Sequence, residues 1–289
     1  MTPIRPTVSR VYSWVKKEQG MGKVTSISIQ KGGTGKSTVT RNLGEEVSES
    51  GRKVLLIDND PQGNLTKSIF GDEVPNEVMK VVESVTSSTQ KVSPGPSNSY
   101  WLYEKDEMPE PYKVTENLYL LGASKHLAEM STKSVDVVYE FKDKMEVLAS
   151  EFDDIFIDCP PSAGTLQTAA HGGSDYVIIP TQLSEDSIDG VREQIDSLSA
   201  NKKRLNPKLK VLGILVNGKD SHKINIEEVH LEGLKEAYGD IVFNTVITYS
   251  VKVSESRSFN KTVGQHAPKS PQASQFINFI EEYLERSRG

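Results

Sequence analysis

The chain has 289 residues, 36% hydrophobic and 26% charged, with a net charge of −6. That length supports one sizeable α/β core, and the single cysteine, Cys159, excludes an intrachain disulfide or a metal centre built from several cysteines of one chain. There is no apolar run of about 18 residues for a transmembrane helix and no continuous apolar N-terminal core for a secretory signal, so the expected location is the cytoplasm.

In chain order, residues 1–22 form an extension in which Val8, Val11, Tyr12 and Val15 recur at helical spacing beside Arg10, Lys16 and Lys17. The main body is expected to span residues 23–289. "KVTSISI" (23–29) is a β-rich run, residues 36–50 suit a helix, and Gly51 is placed to end it. "KVLLID" (53–58), "DDIFID" (153–158), "DYVIIP" (175–180) and "KVLGILVN" (210–217) are continuous apolar runs, as in strands covered on both faces of a parallel sheet. Residues 184–204, 227–238 and about 271–286 read as helices. Residues 86–112, rich in Ser, Thr and Pro, read as a loop insertion. The expected fold is a mostly parallel twisted sheet with helices on both faces.

"QKGGTGKST" (30–38) almost fits the phosphate-binding pattern G-x-x-x-x-G-K-[ST]. Residue 30 is Gln rather than Gly, and a second lysine, Lys31, follows it. A strand precedes this stretch and a helix follows, the order that a phosphate loop requires. Gly32, Gly33 and Gly35 let the backbone amides around Thr34 curl toward phosphate oxygens, and the helix start adds its positive dipole end. Lys36 is placed to neutralise β/γ-phosphate charge, Ser37 to ligate Mg2+ and Thr38 to meet the α-phosphate. "LLIDNDPQGN" ends a strand with Asp58 and Asp60, and "IFIDCPPS" ends another with Asp158. In a parallel sheet these carboxylates gather at the edge where the loop sits, and a hard cation and a water nucleophile both need oxygen partners there.

With "VLLIDNDPQGN", "FDDIFIDCPPSAG" and "TVITYSVKVSESRSFNKTVGQHAPKSPQA", the loop resembles the ParA/MinD family of deviant Walker ATPases over about residues 23–285, nearest its ParA/Soj partition branch. The resemblance implies that Lys36 serves its own subunit's ATP while Lys31 reaches into the partner's site, making an ATP-sandwich homodimer. By the same resemblance Asp60 positions the attacking water, and Asp58 and Asp158 hold Ser37 and hydrated Mg2+. Asn217, at a strand end, is a candidate for reading adenine.

Partition ATPases of this kind bind non-specific DNA as ATP dimers and respond to a ParB-like, centromere-binding adaptor, so the resemblance implies a nucleoid-associated protein. Residues 201–270 hold 12 Lys/Arg against 7 Asp/Glu, which permits a basic face. Lys252 falls where the family's P-R-N-V-R-L-S-E has its second arginine, and Lys223, Arg257 and Lys261 are further DNA candidates. Thr248, Tyr249 and Ser250 replace the family's Pro-Arg-Asn, "GKDSHK" replaces its Tyr-Asp-x-Arg-Thr element, and Arg257 stands where a proline is usual, so the DNA surface is expected to be rearranged. The alternative is a MinD-like membrane-cycling ATPase. That needs a basic amphipathic tail, whereas "QFINFIEEYLERSRG" is partly acidic, so no membrane partner is expected. An iron–sulfur reductase or carrier on the same fold would need two cysteines per chain.

Overall fold

A computed structural model describes residues 21–82, 91–220 and 224–288. Most of the N-terminal extension, including Arg10, Lys16 and Lys17, and also Lys223, lie outside the described residues.

The first strand, β1 (Lys23–Ile27), leads through the glycine-rich loop into α1 (Lys36–Glu49). Then come β2 (Val54–Asp58), α2 (Asn64–Phe70), the short pair β3 (Met79–Val82) and β4 (Lys91–Pro94), β5 (Tyr112–Lys113) and β6 (Leu118–Leu121). The order continues α3 (Asp136–Glu151), β7 (Asp154–Asp158), α4 (Thr165–Gly172), β8 (Tyr176–Thr181), α5 (Glu185–Arg204), β9 (Lys210–Lys219) and α6 (Ile224–Tyr238). Last are β10 (Val242–Thr248), α7 (Val251–Ser258), α8 (Val263–His266) and α9 (Pro271–Arg288).

Eight strands form one sheet in the order β10-β9-β8-β1-β7-β2-β6-β5. Its neighbours are parallel except the edge pair β5–β6, which agrees with the expected mostly parallel sheet. Its central strands read as unbroken apolar runs because both faces are covered. Leu56 and Phe156 point into a core with Val39, Leu43 and Val47 of α1 and Phe276, Phe279 and Ile280 of α9. Their neighbours Leu55, Ile57, Ile155 and Ile157 point the other way, onto Phe141, Met145 and Leu148 of α3. Farther along that face, Ile179, Ile214 and Val216 pack on Val191 and Leu198 of α5.

Several stretches differ from the sequence reading, among them the helices α2, α3 and α4, which it did not include. β6 and β10 are short or interrupted by polar residues, so neither stands out as an apolar run. Within the described part of 86–112, β4 pairs antiparallel with β3, and a 3-10 turn at Ser99–Leu102 is seated in the core. Asn98, Ser99, Leu102 and Tyr103 are essentially fully buried there. The low hydrophobicity of the stretch hides this, because its anchoring groups are mostly hydrogen-bonding side chains.

Candidate functional site

Register brings the site together. Within the sheet, Asp58 of β2 lies opposite Asp158 of β7, and Asp158 lies opposite Ile27 of β1, just before the loop. The loop therefore emerges beside the two strand-end carboxylates, at the carboxyl edge where open parallel sheets bind ligands.

The loop's shape depends on Gly33 (φ 78°) and Gly35 (φ 86°), both left-handed. Gly35 is constrained twice, because a Cβ there would stand 2.1 Å from the Asn217 side-chain nitrogen. That nitrogen donates to the Thr34 carbonyl at 2.8 Å, and Gln182 Nε2 donates to the Gly33 carbonyl at 3.3 Å. The ends of β9 and β8 thus brace the loop from behind.

In front of it lies a cleft of about 400 Å³. Gly32, Gly33, Gly35, Lys36, Ser37, Thr38, Asp60 and Asn217 of the expected site line it. Lys36 is buried, and its Nζ donates to the Lys31 carbonyl at 2.8 Å. Burial lowers its pKa, against the pull of Asp158, Cys159 and Asp60. The Thr34 hydroxyl is buried without a hydrogen-bond partner among the described residues.

The three aspartates differ in their surroundings. Asp58 Oδ2 accepts from the Thr66 amide (2.8 Å) and hydroxyl (2.7 Å), and Oδ1 from the Asp60 amide (3.2 Å). Burial nonetheless pushes Asp58 up to about 6, against those hydrogen bonds. Asp60 lines the cleft and accepts from the Gln62 amide at 3.0 Å, so a tight turn aims its carboxylate. Asp158 is buried with neither carboxylate oxygen in a hydrogen bond among the described residues. Burial and then the Asp58 charge hold its carboxyl well above the usual range, eased by Ser37 and Lys36.

An unpartnered buried carboxylate beside two others is a surplus of negative charge, and it fits a hard cation. Among the described residues no three acidic, His or Cys side chains group as a self-sufficient metal cage. This is the pattern expected of Mg2+, which is usually held by one or two carboxylates with substrate phosphates and water. Ser37 and Asp158 are the residues of this chain best placed to hold it directly. Asp58, already engaged by Thr66, is better suited to accept from a metal-bound water.

Lys31 leaves the cleft. Its side chain, 29% exposed, lies on the start of α5, with Nζ 3.9 Å from Asp186. Arg257, one of the DNA candidates, lines the cleft and donates to Asn64 Oδ1 at 2.9 Å. Lys261 lines a small adjoining pocket with Ser37, Thr38 and Arg41. Lys252 is exposed on α7. The sequence reading missed Gln182, although it directly follows β8 and the strand-end rule that found the aspartates would also reach it. It also missed Asn64 and Tyr249 in the cleft lining. The Asn64–Arg257 pair spans 193 positions and has no local signal.

Residues 22–211 match AAA_31, an AAA domain family. The chain is 30% identical over 267 residues to the sporulation initiation inhibitor protein Soj of Bacillus subtilis strain 168, covering 91% of this chain and 98% of Soj. It is 29% identical over 266 residues to the chromosome partitioning protein ParA of Myxococcus xanthus, covering 92% and 89%. Among solved structures it resembles cobyrinic acid a,c-diamide synthase from Mycobacterium smegmatis with bound ADP and magnesium, at 26% identity, 93% and 96% coverage and a TM-score of 0.73. The cell division ATPase MinD of Pyrococcus furiosus shares the fold, with a TM-score of 0.67 at 21% identity, covering 92% of this chain and all of that one. With its two-lysine phosphate loop and strand-end aspartates on one edge of a parallel sheet, the chain belongs to the ParA/MinD family of P-loop ATPases.

Proposed function

We propose that this protein is a DNA-partition ATPase that binds MgATP, dimerises around it, binds DNA without sequence preference and is stimulated by a centromere-binding adaptor. The observation that carries this reading is the division of labour between the two loop lysines. Lys36 is buried in its own cleft while Lys31 stands outside it on α5, and similarity to Soj and ParA runs over nearly the whole chain.

A bound magnesium ion would supply neutralisation of the phosphate charge. Lys36 exchanges its hydrogen bond to the Lys31 carbonyl for phosphate oxygen, and the loop amides between Gly32 and Thr38 accommodate the rest of the chain of phosphates. Ser37 and Asp158 would hold the cation, and Asp58 would accept from its bound water. Asp60, in the lining of the cleft, orients water for in-line attack. Lys31 offers a charge-assisted hydrogen bond to a nucleotide held by a second subunit, which makes association depend on the γ-phosphate.

Exposed Lys252 and the cleft-rim cations Arg257 and Lys261 are the proposed DNA contacts, with Lys223 of the original set outside the described residues. The cellular setting is the nucleoid. The membrane-cycling alternative is disfavoured by α9, whose Phe276, Phe279, Ile280, Tyr283 and Leu284 are buried in the core. That apolar face is already used. Among the described residues no helix is long and apolar enough to cross a membrane.

The test is light scattering and DNA titration with ATP, ADP and no nucleotide. A dimer and a DNA complex that both require ATP support the reading. A monomer in every state, or ATP-dependent sedimentation with anionic vesicles instead of DNA, overturns it.

A further inference from the structure

The segment 97–103 makes a set of buried contacts that overall packing alone does not require. Ser97 and Ser99 pair with the backbone of Gly122, just past β6, so the segment extends the sheet beyond its own carboxyl edge. A Cβ at Gly122 would lie 2.3 Å from Val78, whose carbonyl accepts from the Asn98 side chain at 2.9 Å. From this anchored position the Ser99 hydroxyl donates to the Asp58 carbonyl at 2.6 Å. The Tyr103 hydroxyl donates to Asn59 Oδ1 at 2.7 Å. The other end of the Asn59 amide donates to the Leu166 carbonyl at 2.9 Å, and the Asn59 main-chain amide donates to the Asp158 carbonyl at 2.9 Å.

Tyr103 is 2% exposed and packs on Phe141, with ring centroids 5.0 Å apart. Burial holds its phenol protonated, which makes it the donor toward Asn59. The peptide between Asp58 and Asn59 is therefore gripped from both sides. Asp58 and Asp60 lie on either side of Asn59, and the hydrogen bonds of Asp60 are local: its amide donates to Asp58 Oδ1, its carboxylate accepts from the Gln62 amide and its carbonyl from the Gly63 amide.

We infer that Ser99 and Tyr103 are positioning residues for hydrolysis, a strut that sets the aim of Asp58 and Asp60 through the 58–60 backbone. This rests on the reading of the cleft as an ATPase site and deepens it. Neither residue lines the cleft, so neither touches nucleotide. Their effect is on geometry, and a misplacement of about 1 Å at a reacting group can reduce a rate by as much as a hundredfold. The strut also ties the 58–60 segment to the outer surface of the insertion, where Tyr100 and Glu104 pair at 2.9 Å.

The experiment compares wild type with Ser99→Ala and Tyr103→Phe. Each variant is measured for kcat, nucleotide affinity, melting temperature and amide hydrogen exchange over residues 59–63. The expected result is a kcat lowered roughly tenfold or more, affinity within about twofold, and faster exchange at 59–63 while β1 exchange is unchanged. A lowered melting temperature with unchanged kcat would reduce the strut to ordinary packing and overturn the inference. Should wild type itself show no turnover, the ATPase reading fails separately. Exchange at 59–63 then decides the strut, since an unchanged pattern in Tyr103→Phe refutes it.

Discussion

The ammonium of Lys36 donates a 2.8 Å hydrogen bond to the main-chain carbonyl of Lys31. The lysine proposed to serve the bound nucleotide thus rests on the backbone of the lysine proposed to serve the partner's nucleotide. Drawing Lys36 onto a phosphate, as proposed, would break that hydrogen bond.

Lys36→Ala is expected to weaken nucleotide binding by about a hundredfold or more, because it removes a buried cation from the site of phosphate charge. Asp60→Ala should bind nucleotide normally and hydrolyse it at least about a hundredfold more slowly. Fluorescent-nucleotide titration and single-turnover hydrolysis separate the two. Normal turnover by Asp60→Ala would remove it from the reaction.

Lys31→Ala should keep the affinity of the monomer for ATP and lose the ATP-dependent dimer, weakening association by about a hundredfold for a charge lost from a desolvated gap. Sedimentation with a non-hydrolysable ATP analogue reads this directly. The Asp186 contact does not mask the effect, since an exposed pair of this kind contributes less than about 1 kcal/mol. A full dimer from this variant would mean that the second lysine does not act across the interface.

Asp158→Asn should raise the melting temperature of the nucleotide-free protein while abolishing magnesium-dependent nucleotide binding. The shift should be roughly 2–4 °C for each kcal/mol recovered. The sign follows from the direction of the pKa shifts. Asp58, at about 6 when folded, and Asp158, also raised by burial, both bind a proton more tightly in the folded state. Folding stability from these groups is therefore fully present only below the unfolded carboxylate range. It declines as pH rises toward and through the folded values. Around this cluster Ser37 and Lys36 oppose the effect at Asp158, the hydrogen bonds from Thr66 and the Asp60 amide oppose it at Asp58, and the Asp60 charge adds to it at both. Thermal melts between pH 4 and 8, without nucleotide, should show a smaller loss toward high pH in the variant. An identical slope would mean that Asp158 is not the strained carboxylate.

Lys252→Ala should weaken DNA binding for any sequence and make its logarithmic salt dependence shallower by about one unit, as one phosphate contact is lost. Titrations at several salt concentrations, with ATP present, measure both quantities. Arg257→Ala should differ, altering nucleotide affinity as well, because Arg257 lines the cleft.

Much of this molecule is legible without coordinates. The alternation of apolar runs and helical segments specifies a doubly covered parallel sheet, since such runs are stable only when both faces are buried. The loop 30–38 and the strand-end aspartates specify a phosphate site, because parallel strands deliver their carboxyl ends to one edge. These are local signals, carried by spacing of a few residues. What tertiary structure alone decided is everything that joins distant segments. It places Arg257 on Asn64 at the rim of the cleft, and it leaves both Asp158 carboxylate oxygens without a hydrogen-bond partner among the described residues. It also turns a Ser- and Pro-rich stretch into a support for the backbone at Asp58 and Asn59. Hydrogen bonds across 40 or more positions have no periodicity to betray them, because a buried polar group needs only a partner of the right geometry, wherever the fold brings one.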